Sequence, residues 1–365
     1  MKNASFRKLV YYAALFIPFV LALLIIEVFL FNFTKQGNKE LKVWIETKEC
    51  YGNCYSSDRK GYFPISLKAS TKEKEKLRNA LVSGNIDFLA EKTPYCIVYD
   101  CQKRREGFFS RRTVEVAIVG DSFVFGEGVK EEDTLGYLLS SKFSKANFKN
   151  YGSTGANIEG VFNIVSQVLE EKKIKDIIYF YNLNDILTSP EIAAKQKFIV
   201  DFQNIRWFNV KRPHNFFTGI LSKSNIYHLV EDSIILHQES GLTIKNYLDM
   251  YFSPANLNEL KRTINLLISM NNRSKGKGVN FRIVIYPLLY KDIFGRYPFV
   301  SIHEFLKDIC KKNQIPCIDA YPAFEKYRSL KNFTVHPVDY HPNGFANKIV
   351  VEYLSQTCSS LQSYK

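Results

Sequence analysis

The 365-residue chain is 46% hydrophobic and 15% aromatic, which supplies enough apolar side chain for a packed core and excludes a disordered polymer. Its formal net charge is +14 at pH 7, a balance that can draw nucleic acid, an anionic membrane or an acidic polymer. The sequence carries no zinc-finger spacing, RNP-like segment or helix-turn-helix pattern, so no nucleic-acid partner is expected and the charge reads as a lysine-rich surface.

The first eight residues include Lys2, Arg7 and Lys8 and form a short basic tail. Leu9 to Ile26 carries no charge, and the apolar run resumes after Glu27 as far as Phe33. At about 1.5 Å per residue such a helix crosses a hydrocarbon core of roughly 30 Å. Tyr11 and Tyr12 suit one interface and Phe31 and Phe33 the other, and Pro18 is tolerable in a membrane helix. The run is longer than the apolar region of a secretory signal and ends in bulky residues, which predicts an uncleaved signal-anchor at 9–33. The basic tail places residues 1–8 in the cytoplasm and everything after 33 on the periplasmic or exterior side of the cytoplasmic membrane. Lys35, Lys39 and Lys42 oppose that orientation, but Glu40, Glu46 and Glu49 are mixed among them.

Residues 34–112 read as a polar juxtamembrane region with one helix, opened by the capping-box residues Ser70 and Glu73 and closed near Gly84. Gln102 to Arg112 is basic and reads as a solvated loop or a segment near anionic headgroups. Of seven cysteines, Cys50 and Cys54, Cys96 and Cys101, and Cys310 and Cys317 are close in sequence, and Cys358 is left over. In an oxidising compartment these spacings allow three local disulfides. Cys317, inside an apolar strand, also suits a buried free thiol. Cys50 and Cys54 lack a second Cys or His pair, so no metal site is expected.

From residue 113 the pattern changes. Apolar strand-like runs occur at 114–120, 176–185, 281–289 and 315–321. Helix-like segments at 134–143, 161–173, 253–272 and 303–313 separate them, the third with Ser253 as N-cap and Pro254 at the first helical position. Continuous apolar strands alternating with amphipathic helices predict an α/β domain over 113–358, with a parallel sheet covered on both faces. The aromatic stretch 189–252 breaks this rhythm and reads as an insertion or lid.

In open α/β sheets function collects beyond the carboxyl ends of the strands, and there this chain carries polar clusters. They are Gly120-Asp121-Ser122, the run Asn150 to Asn157 with Gly155, and Asn182-Leu183-Asn184-Asp185; Asp339 and His341 stand just before a final helix. With these four blocks in this order, the chain resembles the GDSL/SGNH hydrolase superfamily from Val114 to Leu354, and in particular a bacterial subgroup with one N-terminal membrane span. The resemblance implies a flavodoxin-like three-layer domain without metal or cofactor. It implies Ser122 as nucleophile, His341 as base, and Asp339 as the carboxylate that orients the histidine. The oxyanion hole would be the backbone N–H groups of Ser122 and Gly155 with the Asn184 amide. Three departures stand out: Asn182 replaces the usual Gly, one residue rather than two separates Asp339 from His341, and Phe123 replaces Leu.

The chemistry is consistent with those roles. A serine hydroxyl attacks only when a base removes its proton, a histidine returns that proton to the leaving group, and N–H donors stabilise the developing oxyanion. Asp121 and Asp185 read as turn braces, His336 as a loop residue, and His214, His228, His237 and His303 as surface or packing residues. The expected function is an extracytoplasmic serine esterase or deacylase acting on an acylated envelope glycan or lipid. The alternatives are an O-acyltransferase, which would need a membrane partner to supply its acyl donor, and a non-catalytic glycan-binding scaffold.

Overall fold

The computed structural model describes residues 114–193, 243–291, 295–336 and 339–364, the backbone at 40–50, 56–66 and 95–98, and five helical positions between 18 and 26. Among the described residues no helix is long and apolar enough to cross a membrane. The expected anchor at 9–33 lies, those five positions apart, outside them, as do the basic tail, the helix expected from Ser70 to Gly84 and the loop 102–112.

Residues 34–112 hold a feature that the sequence reading did not foresee. β1 (Glu40–Cys50), β2 (Ser56–Ser66) and β3 (Tyr95–Val98) form an antiparallel sheet in that order. Its register runs from Glu40 opposite Ser66 to Cys50 opposite Ser56, and Ser57 lies opposite Val98. Leu41, Val43 and Ile45 do alternate with other residues at the strand period, but the lysines and glutamates around them mask it.

The α/β domain is built on five parallel strands: β4 (Val114–Gly120), β5 (Ala146–Gly152), β6 (Ile174–Tyr181), β7 (Asn280–Ile285) and β8 (Cys317–Asp319), in spatial order β5-β4-β6-β7-β8. Val116 to Val119 and Ile177 to Phe180 are fully buried, which is why these strands read as unbroken apolar runs rather than alternating ones. Each Val, Ile or Phe among them contributes about 1.5–3 kcal/mol of burial free energy.

Besides a helix at 243–252, the described part of the domain has α1 (Ser122–Phe125), α2 (Leu135–Lys142), α3 (Ile158–Val168), α4 (Leu257–Gly276), α5 (Val300–Lys312), α6 (Pro322–Glu325) and α7 (Gly344–Thr357). α2 packs with α7 and α3 with α4, joined by ion pairs Lys142–Glu352 and Arg262–Glu159. The domain runs past the expected boundary at 358. The turn 359–364 docks through Lys145 N–H donating to the Tyr364 carbonyl (3.0 Å) and Tyr364 packing edge-on to Phe148.

The strand order reverses between β4 and β6, and that is where such a sheet opens a crevice at its carboxyl edge. Of the segment expected to be an insertion, 194–242 lie outside the described residues. Residues 243–252 form a helix with Met250 and Tyr251 buried. The Tyr251 hydroxyl lies 2.8 Å from the Tyr181 hydroxyl and donates to the Leu183 carbonyl at 3.0 Å, so this end of the segment is packed on the sheet. Cys310, Cys317 and Cys358 are free thiols. Cys310 hydrogen-bonds Cys317 and, with burial, raises its thiol pKa. The other two cysteine pairs reach outside the described residues.

Candidate active site

The site begins where β4 stops. Asp121 caps α1 by accepting the Phe123 N–H at 2.9 Å, the expected use of an Asp at a helix start. The helix lasts one turn and ends at Gly126 in the left-handed region, whose N–H returns to the Ser122 carbonyl at 3.0 Å. Ser122 is thereby placed at the first helical position, off the edge of the sheet. β5 passes so close that a Cβ on Gly152 would lie 2.0 Å from the Phe125 nitrogen; only glycine permits that approach. Asn150 completes the joint, donating to the Val124 carbonyl at 2.8 Å and accepting the Gly152 N–H at 2.8 Å.

His341 arrives from the other end of the chain. β9 (Thr334–His336) and β10 (Asp339–Pro342) pair antiparallel. Asn343 then fixes the exit by capping α7 through the Ala346 N–H (3.0 Å) and donating to the Asn332 carbonyl at 2.9 Å. The result brings His341 Nε2 to 2.7 Å from Ser122 Oγ across 219 positions of sequence. The imidazole lies against the Phe123 ring, centroids 5.4 Å apart, and Phe123 is backed edge-on by Tyr286. Phe123, directly after the serine, therefore supplies a wall for the histidine. Asp339 lies two residues before His341 on β10; its side chain is outside the described part.

The remaining expected residues ring the same corner. The Ser153 N–H donates to the Gly120 carbonyl at 3.0 Å and the Ala156 N–H to the Ser153 carbonyl at 3.1 Å. These bonds fix the turn that carries Gly155, exposed and at φ +75°. That backbone conformation is one glycine adopts without strain. Asn184 is exposed just beyond the end of β6. The Ile158 N–H donates to the Asp185 carbonyl at 2.7 Å, joining the Gly155 turn to the Asn184 turn.

Two buried carboxylates lie beneath. Asp121 Oδ2 accepts from Asn182 Nδ2 at 3.2 Å, so Asn182 braces the serine corner. Asp185 Oδ2 accepts the Tyr179 hydroxyl at 2.8 Å and the Asn182 N–H at 3.0 Å. Burial raises the pKa of both, against the opposing pull of these donors and, at Asp121, of His341; the Asp121 charge raises Asp185 further. Tyr247, in the helix at 243–252, has its hydroxyl pushed up by burial and by both carboxylates.

Sequence reading singled out Ser122, Gly155, Asn184, Asp339 and His341 as expected site residues but not the contributions of Phe123, Asn182 and Tyr247. Asn182 and Phe123 were visible only as departures from the motif. His303 proves a packing residue of an unusual kind, buried between Tyr297 and Asp319. Among the described residues no group of His, Cys, Asp and Glu side chains is arranged to hold a metal ion. Chemically, a histidine nitrogen within hydrogen-bond reach of a serine hydroxyl is placed to take its proton.

No family model matches the sequence, and no curated protein matches it. Solved structures do. The chain is similar to a member of the lipolytic G-D-S-L family from Veillonella parvula, with 14% identity over 67% of this chain and 97% of that one, at a TM-score of 0.40. It is similar to a psychrotrophic esterase from Pseudoalteromonas sp., with 12% identity over 68% and 98% and a TM-score of 0.38. A GDSL-like lipase from Bacteroides thetaiotaomicron shares 11% identity over 69% and 89%, at 0.36. Identity and scores this low leave the chemistry to be read from the chain's own residues.

Proposed function

We propose that this protein is a serine acyl hydrolase of the SGNH type, an esterase or deacylase in which Ser122 attacks an ester carbonyl. The observation that carries the reading is the 2.7 Å contact between His341 Nε2 and Ser122 Oγ, at the strand-order reversal where such sheets bind ligands. His341 accepts the serine proton as the hydroxyl adds to the carbonyl, then donates it to the departing alcohol, leaving an acyl-Ser122 that water cleaves. Asp339, by its place two residues before His341, orients the imidazole and stabilises its protonated form. The backbone N–H groups of Ser122 and Gly155 and the Asn184 amide receive the oxyanion.

The substrate class we propose is an acylated glycan or lipid of the cell envelope. Its support is the uncharged run from Leu9 to Ile26 behind a basic tail, which suits a single-pass anchor with the α/β domain outside the cytoplasmic membrane. Hydrolysis of p-nitrophenyl acetate and butyrate tests the chemistry. Turnover by the full-length protein in detergent, absent from Ser122→Ala and His341→Ala, is the expected result. Equal rates in all three proteins would remove Ser122 from the reaction.

A further inference from the structure

The groups proposed for the oxyanion hole come from the corner at Ser122, the turn at Gly155 and the turn at Asn184, and a ring of hydrogen bonds ties these segments together. The Ser153 N–H donates to the Gly120 carbonyl at 3.0 Å and the Ile158 N–H to the Asp185 carbonyl at 2.7 Å, so backbone groups join the Gly155 turn to its neighbour on either side. Between the Ser122 corner and the Asn184 turn the ring closes through side chains: Asn182 Nδ2 donates to Asp121 Oδ2 at 3.2 Å. Asp121 gives its other oxygen to the Phe123 N–H at 2.9 Å, which starts the helix that carries Ser122. Asn182 is buried, only 1% exposed. Its N–H donates to Asp185 Oδ2 at 3.0 Å and its carbonyl accepts the Asp185 N–H at 3.0 Å. Its side-chain Oδ1 accepts the Leu183 N–H at 2.7 Å. Only one orientation of the amide puts an acceptor on that N–H and a donor on the carboxylate. Asn182 thus clasps the turn 182–185 at both ends, with Asn184 between them. The Nδ2 bond adds nothing to the closure of that turn, which its backbone bond already makes. What it sets is the placement of one loop against the other.

Resting on the reading of Ser122 as nucleophile and Asn184 as oxyanion donor, we propose that Asn182 is a positioning residue whose amide holds the Asn184 turn in register with the Ser122 corner. It touches no reacting atom and acts through the placement of Asn184. That placement matters because an oxyanion hole stabilises only the charge that develops where its donors already point. Asp121 is the other half of the link: one oxygen orients the helix that carries the nucleophile, the other receives the turn that carries the donor.

The test is a double-mutant cycle on ester hydrolysis by the full-length protein in detergent: wild type, Asn182→Ala, Asn184→Ala and the two together, each shown to be folded by a cooperative thermal transition. The expected result for Asn182→Ala is a kcat lower by about 10–10²-fold, the effect of a donor misplaced by about 1 Å, with KM within about threefold. In the Asn184→Ala background the same substitution is expected to change kcat by less than about twofold, because the donor it positions is already gone. An equal fall in both backgrounds would reduce Asn182 to a general brace and overturn the proposal, as would unchanged kinetics or a raised KM at unchanged kcat. Asp121→Ser cuts the same link from the other side while keeping a cap for the Phe123 N–H. It takes the place of Asn182→Ala in the cycle should that variant fail to fold, and is read by the same criterion. Wild-type turnover no greater than that of Ser122→Ala would overturn the underlying reading of the nucleophile. An Asn184→Ala kcat equal to wild type, with Ser122→Ala inactive, would remove Asn184 as donor and the proposal with it while leaving Ser122 in its role.

Discussion

Two histidines in this domain each hold a hydroxyl at hydrogen-bonding distance, and they do different things. His341 Nε2 is 2.7 Å from Ser122 Oγ, and His303 Nε2 is 2.8 Å from the Tyr297 hydroxyl, with Nδ1 on Asp319 at 2.7 Å. On paper the second is the more complete triad. Yet His303 is 1% exposed, Tyr297 is stacked on Tyr321 at 4.2 Å and Asp319 also takes the Tyr321 N–H at 2.9 Å. Burial also raises the Tyr297 pKa well above the ordinary tyrosine value, with Asp319 adding to it. That hydroxyl is reluctant to give up its proton and has no room for a carbonyl. Ser122 lies instead where the strand order reverses, with the exposed turns of Gly155 and Asn184 following the neighbouring strands. A hydrogen-bonded chain of side chains makes a lock when it is closed on all sides, and a site when one end faces substrate.

The comparison breaks most sharply at its reactive end. Ser122→Ala or His341→Ala is expected to lower ester hydrolysis by at least about 10⁴-fold, with the thermal transition near that of wild type. Asn184→Ala is expected to lower kcat by about 10²–10³-fold with a smaller change in KM, the effect of removing the oxyanion donor proposed for it. At the closed end the effects reverse in kind. His303→Ala strands the buried Tyr297 hydroxyl and leaves Asp319 with the Tyr321 N–H alone, so denaturant titration should show a loss of about 2–4 kcal/mol. Its kcat/KM should stay within about threefold of wild type. A His303 variant that folds normally and loses turnover would erase the distinction.

Asp185 sharpens the contrast in a different way. Its folded pKa lies well above the ordinary value through burial and the Asp121 charge. As pH rises through about 4 the unfolded chain releases this proton before the folded one does, so stability declines from there upward. Asp185→Asn keeps an oxygen for the Tyr179 hydroxyl and the Asn182 N–H and removes the titration. The melting temperature, followed from pH 4 to pH 8, should fall less steeply in the variant. An unchanged slope would show that Asp185 does not titrate differently in the two states.

The parts of this account that the sequence disclosed are those written in local pattern. The buried strands gave continuous apolar runs, and the strand ends gave Asp121-Ser122 and Asn184 because polar residues follow such runs abruptly; His341 stood out by its place before the final helix. What it did not disclose is written through space. Phe123 against His341, and Tyr247 near Asp121 and Asp185, join segments with no shared motif. His303 was read as an ordinary packing or surface residue because its partners at 297 and 319 form no spacing that carries chemistry on its own. The strands of the 40–98 sheet were lost among charged residues. Asn182 was legible only as a misfit, and its purpose became clear once its amide was seen on Asp121.

The most direct test of the central claim is peptide mapping of the full-length protein after reaction with a fluorophosphonate. The account predicts a single phosphonylated site at Ser122, lost in His341→Ala and retained in His303→Ala. A folded wild-type protein that takes up no phosphonate, or takes it up at Tyr297 while Ser122 stays unmodified, would contradict it.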